Sequence, residues 1–217
     1  MTSASCTVSN TFYISYHYMK TLLTISALLI LTVSATAQRQ ISYAYTEIKK
    51  GQYNTCARTS YLLKNAQIKK QSGKLSIPIA GRPAKVFKDD NSDENFHEFD
   101  YMGEIKGTKL SLVKRTDYNH EEFYLLNRST GAIDTLIGEP VFAQNMRDFA
   151  CINNPGTDEE QQVQICEINK GAVNTRVYLK GKADAFLEGI ACIKRNFLYA
   201  KDNQGSYWKL SFEIGDE

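Results

Sequence analysis

The residues most able to do chemistry crowd into one stretch, Asp89–Asp100, which reads DDNSDENFHEFD. Asp89, Asn91 and Asp93 alternate at the spacing by which short oxygen-bearing side chains converge on a hard cation. Asp100 stands where the twelfth-position acid of a calcium loop falls. The sixth position is Glu94 instead of the glycine that permits the sharp turn, and Asp at the twelfth is a shorter arm than Glu. Two expectations follow: a calcium loop formed by Asp89, Asn91, Asp93 and Asp100 outside any helix–loop–helix unit, or a solvated acidic loop.

Other chemistries are poorly supplied. Of the three histidines, His17 falls in a leader segment and His97 sits beside the acidic stretch. His120 opens His-Glu-Glu-Phe-Tyr, where a zinc-protease helix needs a second histidine and Tyr124 stands instead. There is no G-x-S-x-G elbow, no P-loop and no G-x-G-x-x-G. Cys56 has no neighbouring base in a recognisable context. The adjacent acids Glu121/Glu122 and Glu159/Glu160 lie in polar turn stretches, where carboxylates are ordinarily solvated. No catalytic residue is expected, and a sugar hydrolase would have to use carboxylates that the sequence does not single out. The thirteen tyrosines and ten phenylalanines suit either sheet packing or stacking on a ligand. Tyr43, Tyr45, Tyr53, Tyr101, Tyr118 and Tyr199 fall near predicted strand ends and loops.

The elements that position these groups begin after a leader. Met19-Lys20 precedes the apolar run Leu22–Val33 and the small-x-small site Ser34-Ala35-Thr36-Ala37, the pattern of a secretory signal peptide cleaved after Ala37. Residues 1–18 carry no charge and read as a gene-model extension, with translation expected from Met19. Removing 37 of 217 residues leaves 180, enough for one domain, 38–217, with a core of its own. The charge is segregated. Arg39–Lys88 holds eleven bases and one acid, Asp89–Glu104 seven acids and no base. The near-balance of the whole chain argues against nucleic acid as a partner. Four cysteines remain, Cys56, Cys151, Cys166 and Cys192; none forms C-x-x-C, and the apolar Ala-Cys-Ile settings of Cys151 and Cys192 suit buried thiols.

From Phe99 onward the chain falls into three rows, 99–140, 141–182 and 183–217. Predicted strands are Leu110–Lys114, Phe123–Leu126 and Ile133–Ile137 in the first row, Phe149–Ile152, Val163–Ile168 and Thr175–Leu179 in the second, and Ile190–Ile193 and Tyr207–Phe212 in the third. Asn127–Gly131 and Asn169–Gly171 read as turns in which glycine takes positive φ. Gly131 and Gly171 lie 40 residues apart, Cys151 and Cys192 41 apart. A ragged apolar pattern over Thr55–Lys70 admits a short helix. Lys74–Ile79 and Lys85–Lys88 form a hairpin around Gly81-Arg82-Pro83, with Pro78 marking an edge strand.

The stretch FYLLNRSTGAIDTLIGEPVFAQNMRDFACI, with its strand, N-x-x-T-G turn, strand, proline-containing loop and inner strand, resembles the blade pattern of β-propeller proteins. Ala143-Gln144-Asn145-Met146 replaces the Ser-Pro-Asp-Gly usual in those families. The resemblance implies an all-β fold of antiparallel β-meanders, a partial or open propeller-like stack. The functional expectation is an exported, periplasmic or extracellular, non-catalytic binding or scaffold protein, soluble after cleavage. Its ligand is expected to be a glycan, peptide or protein. A calcium-stabilised structural protein and a secreted glycan-active enzyme are the alternatives.

Overall fold

Two burial patterns recur: alternation in strands with one face covered, and continuous burial in strands covered on both faces, as in Asp148–Ile152 and Gln162–Asn169. In Lys74–Ile79 (KLSIPI) the side chains of Leu75, Ile77 and Ile79 are buried while Lys74, Ser76 and Pro78 are exposed, the period of two that a half-buried strand imposes. A computed structural model describes residues 41–154 and 160–215; the leader and the upstream extension lie outside them. The chain is all-β, with a single short helix, α1 (Lys50–Asn54), among the described residues.

The strands, in chain order, are β1 (Ile41–Ile48), β2 (Leu62–Leu63), β3 (Lys70–Gln71), β4 (Lys74–Ile79), β5 (Arg82–Lys88), β6 (His97–Ile105), β7 (Leu110–Asp117), β8 (Glu121–Asn127), β9 (Ile133–Leu136), β10 (Val141–Phe142), β11 (Asp148–Ile152), β12 (Gln162–Asn169), β13 (Ala172–Lys180), β14 (Leu187–Lys194), β15 (Phe197–Asp202) and β16 (Tyr207–Ile214). They form four antiparallel sheets, ordered β3-β4-β5, β2-β6-β7-β8-β9, β10-β11-β12-β13 and β1-β16-β15-β14.

Three apolar layers join these sheets. Leu75, Ile77 and Phe87 of the first meet Val113 and Leu126 of the second. Leu112 and Leu125 of the second meet Phe142, Phe149 and Cys151 of the third. Ala150, Ile165 and Leu179 of the third meet Ile193, Leu198 and Leu210 of the fourth. Each sheet thus buries its apolar faces against its neighbours, which no single sheet can do alone.

All ten predicted strands lie within or across observed ones, yet four local expectations change. Thr55–Lys70 is not helical: Tyr61 and Ile68 are buried in different layers, and Leu62 pairs with Ile105. In a helix Tyr61 and Ile68, seven residues apart, would share one face; the extended chain carries them into separate layers instead. Pro78 lies in the middle strand of its sheet, where a register irregularity between Ile77 and Ile79 accommodates it and the two-residue β3 does not reach it. Ala150–Ile152 belongs to the second strand of its sheet and Ala191–Ile193 to the first strand of the next, so the two tripeptides are not equivalent. Their likeness records burial alone. Finally, Cys192 is no free thiol. It forms a disulfide with Cys56, 136 residues away, with a Cα–Cα distance of 5.7 Å, while Cys151 and Cys166 are free and buried.

The fourth sheet is completed by the beginning of the domain: β1 pairs with β16 along its whole length, from Ile41↔Ile214 to Ile48↔Tyr207. The disulfide staples the segment that follows α1 to β14 of the same sheet. Loop closure over that separation restricts the unfolded chain and is worth about 4–5 kcal/mol on the entropic account. No helix among the described residues is long and apolar enough to cross a membrane, which leaves spanning by strands unaddressed.

Candidate functional site

Antiparallel hairpins send alternate connections to opposite ends of the stack. At one end lie six short turns: Ala80–Gly81, Lys106–Lys109, Arg128–Ala132, Ala143–Arg147, Lys170–Gly171 and Arg195–Asn196. They carry six bases (Lys106, Lys109, Arg128, Arg147, Lys170 and Arg195) and no acid. The opposite loops hold, among the described residues, the seven acids Asp89, Asp90, Asp93, Glu94, Glu139, Glu160 and Asp184, and one base, Lys182.

The turns bind one another. Ala80 N donates to Arg128 O at 2.8 Å, Arg128 N to Lys109 O at 2.8 Å, and Ile168 N to Arg147 O at 2.8 Å. The Arg82 guanidinium donates to Thr130 O at 2.7 Å. Asn127 Nδ2 donates to Gly171 O at 2.8 Å, so the two turns that resemble each other in sequence touch in space. Asparagine and threonine side chains close three of the turns, Lys106–Lys109, Arg128–Ala132 and Ala143–Arg147. Asn127 Oδ1 accepts from Ser129 and Thr130 N–H groups, and Asn145 Oδ1 from those of Arg147 and Asp148. Thr108 Oγ1 donates to Ile105 O and accepts from Leu110 N. Met146, Lys170 and Gly171 adopt positive φ, which sets the tight reversals.

Because neutral side chains hold the turns, the cations are left over. Arg128 is the exception, paired with Glu104 at 2.7 Å, and Lys106 Nζ donates to Ser60 O at 2.6 Å. Lys109, Arg147 and Lys170 have no carboxylate within 4.0 Å among the described residues, and all three are exposed. They border an open groove of about 1230 Å³ between the second and third sheets, with Lys106, Ser129 and Asn169 also in its wall. No acidic and no aromatic residue lines it. Arg147 continues into an adjoining depression shared with Arg176 and Arg195, where Asp148 and Glu167 also lie.

The acidic stretch is arranged differently. Asp89 Oδ2 pairs with Lys70 Nζ at 2.8 Å, and its Oδ1 accepts from Phe99 N at 2.8 Å. Asp100 approaches the same ammonium at 3.8 Å. Asn91 and Asp93 are exposed. The structure therefore brings Asp89 and Asp100 together on Lys70. No group of three or more His, Cys, Asp or Glu side chains among the described residues is placed to share a metal ion.

His97 Nδ1 lies 2.8 Å from Asn95 O. Glu122, expected to be solvated, instead accepts from the Tyr124 hydroxyl and, at 3.0 Å, from Arg115 Nη1. Those bonds, the tyrosine's first, hold its carboxyl below the usual range. Of the adjacent pair Glu159/Glu160, Glu159 lies outside the described residues. Burial pushes the Cys166 thiol up to about 11 and that of Cys151 well above its ordinary value, so neither is a nucleophile near neutral pH. Among the flagged tyrosines, Tyr43 and Tyr118 are exposed. Tyr45 reaches Lys180 O through its hydroxyl, Tyr53 packs on Tyr207, Tyr101 against the core between the first two sheets, and Tyr199 on Phe197.

In the sequence the bases gather most densely over Arg39–Lys88, and the turn cations do not stand out. The signal was present in the two look-alike turns, each an asparagine followed by a base and a glycine. No family model, curated protein or solved structure matches this chain.

Proposed function

We propose that this chain is an exported, non-catalytic binding protein that holds an anionic ligand against the turn end of its stacked sheets. The observation that carries the reading is the groove whose wall contains Lys106, Lys109, Arg147 and Lys170 and no carboxylate. The backbone of these internally bonded turns is already fixed, so binding need order only the side chains, which favours affinity without a conformational change. Their mutual repulsion is relieved when an anion arrives. The internal disulfide is compatible with an oxidising, extracytoplasmic setting. The neutralisation of Glu122 by Arg115 and Tyr124 favours a structural over a catalytic use of that carboxylate.

The test compares binding of dextran sulfate with that of uncharged dextran, by calorimetry at low and high salt. Dextran sulfate is expected to bind and to weaken steeply as salt rises. Equal affinity for the two polymers would remove the electrostatic basis of the reading, and release of new reducing ends from the bound polymer would contradict its non-catalytic part.

A further inference from the structure

Resting on that reading, we infer that the ligand is a linear acidic polysaccharide that crosses from the second sheet over the third to the fourth. Three observations carry the inference. The first is extent. Lys109 belongs to the second sheet, Arg147 and Lys170 to the third and Arg195 to the fourth. The main groove and the adjoining depression share Asn145 and Arg147, and the depression adds Arg176 and Arg195 with Asp148 and Glu167 beside them, so cations recur along the path from one to the other. A single small anion would meet two or three of these groups; a chain with a charge on successive units meets them in sequence, and each further contact adds to affinity.

The second observation is what the path lacks. No aromatic residue lines either depression. Single-stranded nucleic acid is held by base stacking on aromatic rings as well as by its phosphates, and here the bases would have no platform. The large exposed apolar side chains, among them Ile41, Leu63, Val86 and Phe186, belong to none of these turns, so insertion into a lipid surface has no anchor.

The third observation is the polar complement. Ser129 and Asn169 stand in the groove wall beside the cations, and neither side chain has a hydrogen-bond partner among the described residues. Asn127, Asn145, Thr108 and Thr130, by contrast, are already engaged by hydrogen bonds to the backbone of these turns. A free hydroxyl and a free amide next to uncompensated ammonium groups match a sugar unit that offers hydroxyls and one carboxylate or sulfate.

The experiment titrates the full chain with size-defined oligomers of polygalacturonate and of heparin, from two to twelve units, with oligothymidylate and inorganic sulfate as comparisons. Affinity for at least one of the two oligosaccharide series is expected to rise with length until the path is filled, then level off. The two series separate carboxylate from sulfate as the charged group. Lys109→Glu and Lys170→Glu should each weaken binding of all lengths by roughly an order of magnitude. Arg195→Glu should weaken the long oligomers and leave the shortest unchanged. Inorganic sulfate or a disaccharide matching the longest oligomer would overturn the polymer assignment while leaving an anion-binding protein. Tighter binding of oligothymidylate than of either sugar series would overturn the polysaccharide class. Failure of every anion to bind would overturn both this inference and the reading beneath it. Circular dichroism of each variant separates lost contacts from lost folding.

Discussion

The two ends of the stack are made from the same strands and use charge in opposite ways. At the loop end, acids hold structure: Asp89 is fixed by Lys70 and the Phe99 N–H, Asp90 accepts from the Ser92 N–H, and Glu139 accepts from Arg58 and from the Tyr61 hydroxyl, each at 3.0 Å. At the turn end, Asn127, Asn145 and Thr108 close the backbone reversals, and Lys109, Arg147 and Lys170 are spared. A charge consumed by its own fold contributes to stability and is masked from partners; a charge left on a neutral scaffold does the reverse. On the proposed reading, Asp89, Asp90 and Glu139 serve stability and the turn-end cations serve recognition.

Substitutions can break or sharpen that division, and the largest effect is expected at the loop end. A Cβ on Gly138 would stand 1.9 Å from Ile152 O, which only backbone movement relieves. Gly138→Ala should cost about 3 kcal/mol or more in urea unfolding. An unchanged midpoint would show that the connection between β9 and β10 is loosely held.

Next in size is Asp202, buried beside the Asn203–Ser206 turn. Burial by itself would raise its pKa. Hydrogen bonds from Trp208 Nε1 at 2.7 Å and from the Ser206 and Gln204 N–H groups outweigh it and hold the carboxyl below its ordinary value. A depressed folded pKa gives stability that is complete above the unfolded value, near pH 4, and is lost as pH falls through the folded value. Asp202→Asn should cost about 1–2 kcal/mol at neutral pH and flatten the acid limb of the stability profile. A steeper acid limb would contradict the assignment.

Smaller still is the turn end itself. Gly171 has φ +82°, and the nearest atom to an added Cβ is Asn127 Nδ2 at an ordinary 3.8 Å, so the cost is the backbone conformation alone. Gly171→Ala should lower stability by about 1 kcal/mol. The smallest effect is expected for Lys109→Glu and Lys170→Glu, which should change stability by less than about 0.5 kcal/mol while removing affinity for a polyanion. A large loss of stability in either would place these lysines with the structural charges and erase the contrast.

Much of the fold is legible because its strands stand out as short apolar or alternating runs bounded by turn residues. Phe149–Ile152 is legible as a short apolar run and is buried almost throughout, whereas Lys74–Ile79 shows the alternation itself. What local pattern does not encode is pairing. The closure of β16 by β1 joins residues at opposite ends of the domain, and β15, Phe197–Asp202, was passed over although its side chains alternate in burial. Omitting it made Ala191–Ile193 look equivalent to Ala150–Ile152.

The site was less legible still. Its cations come from connections spread between Lys106 and Arg195, each an ordinary turn lysine or arginine. Only the stacking of sheets makes them one surface. The acidic stretch, by contrast, is contiguous and legible in sequence, and in space Asp89 and Asp100 gather on Lys70.

Hydrogen–deuterium exchange of the full chain, with and without a saturating acidic oligosaccharide, tests the division between the two ends most directly. Slower exchange is expected in Lys106–Lys109, Arg128–Ala132, Ala143–Arg147 and Lys170–Gly171, with Asp89–Phe96 unchanged. Slowing confined to Asp89–Phe96 and the other loops of that end, with the basic turns unaffected, would contradict it.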